Sequence, residues 1–99
     1  MMFFNVPEAR GQLLREGSVY TLRPKLRREG KDLAVWGSYF KNERLGYVMV
    51  KYVGEIKDLA PYLPVSGFAS LKAWLAAAKS SRFLYEVKTI AVERQEPAG

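Results

Sequence analysis

Directly behind the β-prone run Val19–Leu22 the chain reads Arg23-Pro24-Lys25-Leu26-Arg27-Arg28-Glu29-Gly30-Lys31. Five cations and one acid in nine residues carry a net +4 of the whole chain's +6. Guanidinium groups fork onto phosphate oxygens, and open aromatic rings stack on unpaired bases. Tyr20, Trp36, Tyr39 and Tyr47 lie near enough in sequence to supply such rings. The pattern therefore fits RNA or nucleotide binding through Tyr20, Arg23, Lys25, Arg27, Arg28, Lys31 and Tyr47, with the cations converging on one groove. It equally fits a solvated loop whose charge keeps a small domain in solution, with the aromatics in the core.

Other positions with chemical potential are few. Thr21 and Arg23, two apart on a strand, face the same side, as a working pair or as a surface cross-strand pair. Ser66-Gly67-Phe68 precedes an apolar helical segment and could offer backbone N–H groups to an anion, or anchor a loop through Phe68. Glu55 and Asp58 are the best-spaced acids, and a strand end followed by a capping aspartate accounts for them. Trp74 belongs to the stripe Leu71, Trp74, Leu75, Ala78 and reads as core.

What is missing narrows the chemistry. Without cysteine there are no disulfides, thiolate nucleophiles or sulfur-ligated zinc sites. Without histidine there is no serine–histidine or cysteine–histidine catalysis and no conventional zinc hydrolase. No metal or organic cofactor is indicated. Asn and Gln are scarce (Asn5, Asn42, Gln12, Gln95), a compositional hint of a thermophilic source.

The elements that must position these residues follow from pattern. Ninety-nine residues suit one domain, with a short flexible tail expected at 95–99. Pro7 and Glu8 open a helix whose stripe of Val6, Ala9 and Leu13 stops at Gly17. Val19–Leu22 predicts a strand ended by Pro24, and residues 24–31 a loop. Leu33–Phe40 predicts a second strand, burying either Ala34, Trp36 and Phe40 or Leu33, Val35 and Tyr39. After the polar turn Lys41–Glu43, a long strand runs from Arg44 to Glu55 with apolar residues on both parities, as a bulge or two covered faces would produce. Asp58–Leu63 fits one helical turn bounded by prolines, Ser70 caps the second helix, and Phe83–Ala91 alternates as a last strand. The order α-β-β-β-α-β, with room for short extra strands, describes an α+β fold: a small open barrel of mostly antiparallel strands with two main helices.

Three segments in this order resemble the ASCH domain, a member of the PUA-like β-barrel superfamily. A helix followed by Gly17-Ser18-Val19-Tyr20-Thr21-Leu22-Arg23 is similar to the family's G-x-K-x-x-T-x-R segment. Gly46-Tyr47-Val48-Met49-Val50 is similar to the strand after its hairpin, and Ser66-Gly67-Phe68 to an acidic-Gly-Phe element before its second helix. The resemblance spans residues 7 to about 92. It implies a barrel with a cleft for RNA or nucleotides beside the first strand, and, in some small members, hydrolysis of acylated cytidine by a lysine, a threonine and a glutamate. Thr21 and Arg23 match that pattern, while the lysine position reads Ser18 and the acidic position Ser66. Neutral hydroxyls there leave no base to activate a nucleophile.

The expected function is thus a noncatalytic RNA- or nucleotide-binding module using the basic loop and a cleft formed with Thr21, Ser66 and Gly67. One alternative is a small amidohydrolase of a modified nucleoside, with Thr21, Ser18 or Ser66 at the centre and a base arriving from Lys51 or Lys88. Another is an interaction domain for an acidic protein partner. The N-terminus lacks the features of a signal peptide, and no apolar stretch approaches the roughly 20 residues of a membrane span, so a cytoplasmic setting is expected.

Overall fold

A computed structural model of the protein describes residues 1–90. Helix α1 (Pro7–Glu16) begins where proline's missing N–H costs nothing and ends where Gly17 turns left-handed at φ 78°, its N–H donating to Leu13 O. Strand β2 (Ser18–Arg23) follows at once. Strands β3 (Gly30–Gly37) and β4 (Asn42–Glu55) form a hairpin, and a 3-10 helix spans Ala60–Val65. Helix α2 (Leu71–Ala78) is capped by Ser70 Oγ, which accepts from Ala73 N, and β5 (Phe83–Thr89) closes the described chain.

One strand lay outside the periodicity reading. Met2–Phe3 forms β1, two residues paired in parallel with β3 at Ala34 and Val35. A two-residue strand has no alternation to detect, and the apolar run Met1–Phe4 was its only trace. With β1 the sheet is five-stranded and mixed, in the order β1-β3-β4-β5-β2. The two edges, β1 and β2, are brought together by the curl of the sheet, because Arg23 Nη1 on β2 donates to Phe3 O on β1 at 2.8 Å. The result is a curled half-barrel in a small α+β fold. Among the described residues, no helix is long and apolar enough to cross a membrane.

Each face of the sheet has its own core. Met2, Phe4, Ala9, Leu13, Val19, Val48, Val50, Tyr85 and Val87 pack inside the curl, under α1. Leu22, Leu59, Trp74 and Leu84 pack on the other face, under the 3-10 helix and α2. Apolar residues of both parities along β4 are therefore needed, and its pairing with β5 shifts register between Tyr52 and Gly54.

The second strand differs from expectation for a related reason. It starts earlier and ends at Gly37, and its register against β4 shifts between Ala34 and Val35, so both of these neighbours are fully buried. Neither alternating set survives such a bulge. Trp36 is 37% exposed, and Tyr39 and Phe40 leave the strand for the hairpin turn. The last strand ends at Thr89, before the expected Ala91, which with the tail at 95–99 lies outside the described residues.

Candidate functional site

Between the end of β2 and α2 lies a half-open cavity of about 170 Å³. Thr21, Arg23 and Pro24 line it from β2 and the loop beyond; Phe4 and Asn5 come from the segment after β1, and Phe68 and Trp74 from the α2 side. Strand parity places Thr21 and Arg23 there together, since both point into the curl opposite Tyr85 and Phe83.

Arg23 is the chemical centre of this cavity. Its Nη1 is committed to Phe3 O, and its guanidinium carbon lies 4.9 Å over the Phe4 ring. Its Nε is buried and has no acceptor among the described residues. Burial, with repulsion from Arg27 added and Asp32 opposing, pushes the Arg23 pKa down to about 10. At neutral pH the group is still a cation, held in surroundings that disfavour charge. A buried charged donor without an acceptor costs about 1–3 kcal/mol or more. An anionic oxygen reaching the guanidinium would offset the cost of its charge. Thr21, itself buried, adds a hydroxyl able to donate or accept, while Phe4, Phe68 and Trp74 contribute to the apolar part of the wall.

The other cations do not converge on this hollow. Arg27 is anchored: Nη2 donates to Met1 O at 2.7 Å and lies 3.5 Å from Asp32 Oδ2. Its backbone N–H donates to the Tyr85 hydroxyl, which in turn donates to Arg27 O at 3.3 Å. Lys31 sits on the outer sheet face with Nζ 4.7 Å over the Tyr47 ring. Lys25 and Arg28 are exposed on the loop. A single groove holding all five, the arrangement expected from the sequence, is replaced by four separate locations.

The remaining sequence-derived positions have local duties. The Tyr20 ring packs 5.3 Å from that of Tyr62, and its hydroxyl donates to Glu86 Oε2 at 3.0 Å, on the face away from the cavity. Its pKa is raised by burial and by Glu86 and Tyr62. Ser66 is fully buried; its Oγ donates to Leu63 O at 2.7 Å and accepts from Phe68 N at 3.1 Å. Gly67 lies at φ 88°, and a Cβ there would meet Glu8 O of α1 at 2.2 Å. Phe68 does reach the cavity wall, but Ser66 and Gly67 serve the packing of their loop against α1. Glu55 pairs with Arg82 at 3.6 Å, and Asp58 Oδ1 accepts from Ala60 N at 3.1 Å, so both acids are occupied structurally.

The ladder also locates the bases that a hydrolase would need. Ser18 pairs with Lys88, and Lys51 and Tyr20 pair with Glu86, so all of these lie on the outer face, opposite Thr21. Lys88 Nζ is 3.5 Å from Glu86 Oε2. Neither lysine faces Thr21, and the cation beside it is Arg23. A guanidinium stays protonated and cannot act as the base.

Sequence reasoning missed the walls contributed by Phe4 and Asn5, which depend on β1 crossing to the β2 edge. No protein-family model, curated protein or solved structure matches this chain.

Proposed function

We propose that this protein is a noncatalytic nucleotide- or RNA-binding module of PUA-like, ASCH-type architecture, seating one nucleotide unit in the cavity at Arg23. The observation that carries the reading is the half-buried Arg23, which lines the hollow beside Thr21 and has an Nε without an acceptor. An anionic oxygen would meet the guanidinium while a planar ring lies against the half-buried Phe68. That Thr21 and Arg23, the two positions matching the ASCH pattern, share this hollow also supports the reading. Lys25 and Arg28, exposed on the loop after β2, would meet further phosphates in this reading.

Removing Arg23 would also remove the hydrogen bond that joins β2 to β1, so the cavity is better blocked from its rim. Ala77 lines the cavity from an exposed position on α2, and Ala77→Phe fills it with little demand on the core. Titration of fluorescently labelled mononucleotides and oligoribonucleotides should show at least tenfold weaker binding by Ala77→Phe and by Thr21→Val, with unchanged thermal unfolding for Ala77→Phe. Equal affinity in wild type and Ala77→Phe removes the cavity from the function; wild type that binds neither ligand ends the proposal.

A further inference from the structure

The β3–β4 hairpin ends in an arrangement that folding does not require. Its turn is closed by Ser38 N to Lys41 O at 2.9 Å and Lys41 N to Ser38 O at 3.3 Å, and is braced by Asn42 Nδ2, which donates to Ser38 O and Tyr39 O. The polar residues do the holding. The two central positions are Tyr39 and Phe40, 70% and 94% exposed, in a turn whose backbone does not ask for large rings. Their rings meet edge to face at 5.1 Å and 88°, which leaves at least one face of each open. Large apolar rings set at a protruding tip, contributing nothing to the core, mark a contact surface.

That tip is continuous with the cavity. Asn5, a cavity residue, clamps the neck of the hairpin: its Nδ2 donates to Gly37 O at 2.9 Å, and Gly37 N donates to its Oδ1 at 2.7 Å. Arg10 forms the next link, with Nη1 donating to Phe4 O at 3.0 Å and its guanidinium carbon 4.4 Å over the Trp36 ring. From the rim at Phe4 and Asn5 the surface thus runs through the Arg10–Trp36 stack to the aromatic tip. Lys41 and Arg44 are exposed along the same hairpin, against the single acid Glu43. Rings and cations interleaved along one path are what unpaired bases and their phosphates require.

We propose that the hairpin tip, with Trp36 and Arg10, stacks the bases that flank the nucleotide held in the cavity, so that the ligand is a single-stranded oligonucleotide. This rests on the cavity reading above and extends it: the cavity takes one unit, and Tyr39 and Phe40 take its neighbours.

The test uses the full chain and labelled ribonucleotides of one, three, six and nine units. Tyr39→Ser with Phe40→Ser changes only exposed rings, and unchanged thermal unfolding will establish that the fold is kept. Wild-type affinity should rise with length. The double variant should match wild type on the mononucleotide and fall roughly tenfold to a hundredfold on the hexanucleotide, the range for losing one or two stacked bases. Equal hexanucleotide affinity in both proteins overturns the inference while leaving the cavity reading intact, provided Ala77→Phe still abolishes mononucleotide binding. Co-sedimentation with phosphatidylserine vesicles that the double variant loses, without any change in oligonucleotide affinity, overturns it in favour of a lipid surface. A wild type that binds no nucleotide of any length ends both.

Discussion

Arg23 and Arg27 show how a residue type with an evident electrostatic role can be spent on architecture. Both sit in the run that reads as a phosphate-binding loop, and each donates to a carbonyl of the N-terminal segment, Arg23 to Phe3 O and Arg27 to Met1 O. Asp32 completes the second contact. Although its partial burial alone would raise the pKa, the Leu33 N–H, the N-terminal ammonium and the Arg27 guanidinium hold its carboxyl below the usual carboxylate range. A carboxylate with a depressed folded pKa contributes stability that is present above its unfolded pKa, near 4, and is lost as pH falls through the folded value. Urea unfolding between pH 6 and pH 2 should therefore show a fall in midpoint below about pH 4 that Asp32→Asn lessens. A pH profile identical in the two proteins would mean that this contact contributes nothing.

At the scale of elements, the loop before α2 is placed by a backbone approach that only glycine permits. The would-be Cβ of Gly67 lies 2.2 Å from Glu8 O and 2.9 Å from Gln12 Cβ, at φ 88°. Gly67→Ala should cost about 2–4 kcal/mol by overlap and left-handed strain together, read as a lower urea midpoint. Because Phe68 lines the cavity, ligand affinity should drop as well. An unchanged midpoint would show that α1 and this loop separate freely. Both main helices were legible in the sequence, because Pro7, Gly17 and Ser70 act through local geometry that needs no distant partner. The course of β3 was not, because a bulge at Ala34 and Val35 is set by what covers each face of the sheet, and strand alternation carries no record of that.

For the whole molecule, the division of the cations sets the salt response expected of the proposed binding. Arg23 lines the cavity and Lys25 and Arg28 are exposed on the loop that follows it, free to meet phosphates of the ligand proposed above, whereas Arg27 is held by Asp32. Three phosphate contacts on a single strand predict a log–log salt slope of about −2. Arg28→Ala should make that slope shallower by about 0.7, and Arg27→Ala should leave it unchanged. A reversed ranking of the two variants would mean that the loop rearranges on binding.

The amino-acid sequence alone determined the classes of chemistry open to this protein, the helices with their caps, the strand Ser18–Arg23 and the parity that sets Thr21 beside Arg23. All of these depend on residue type or on neighbours a few positions away. Tertiary structure alone decided that β1 and β2 become the facing edges of one curled sheet, that Arg23 joins them beside a cavity, and that Lys25, Arg27, Arg28 and Lys31 do not line it. Those outcomes rest on contacts between segments some 20 residues apart or more, formed by side chains and carbonyls whose meeting no local pattern encodes.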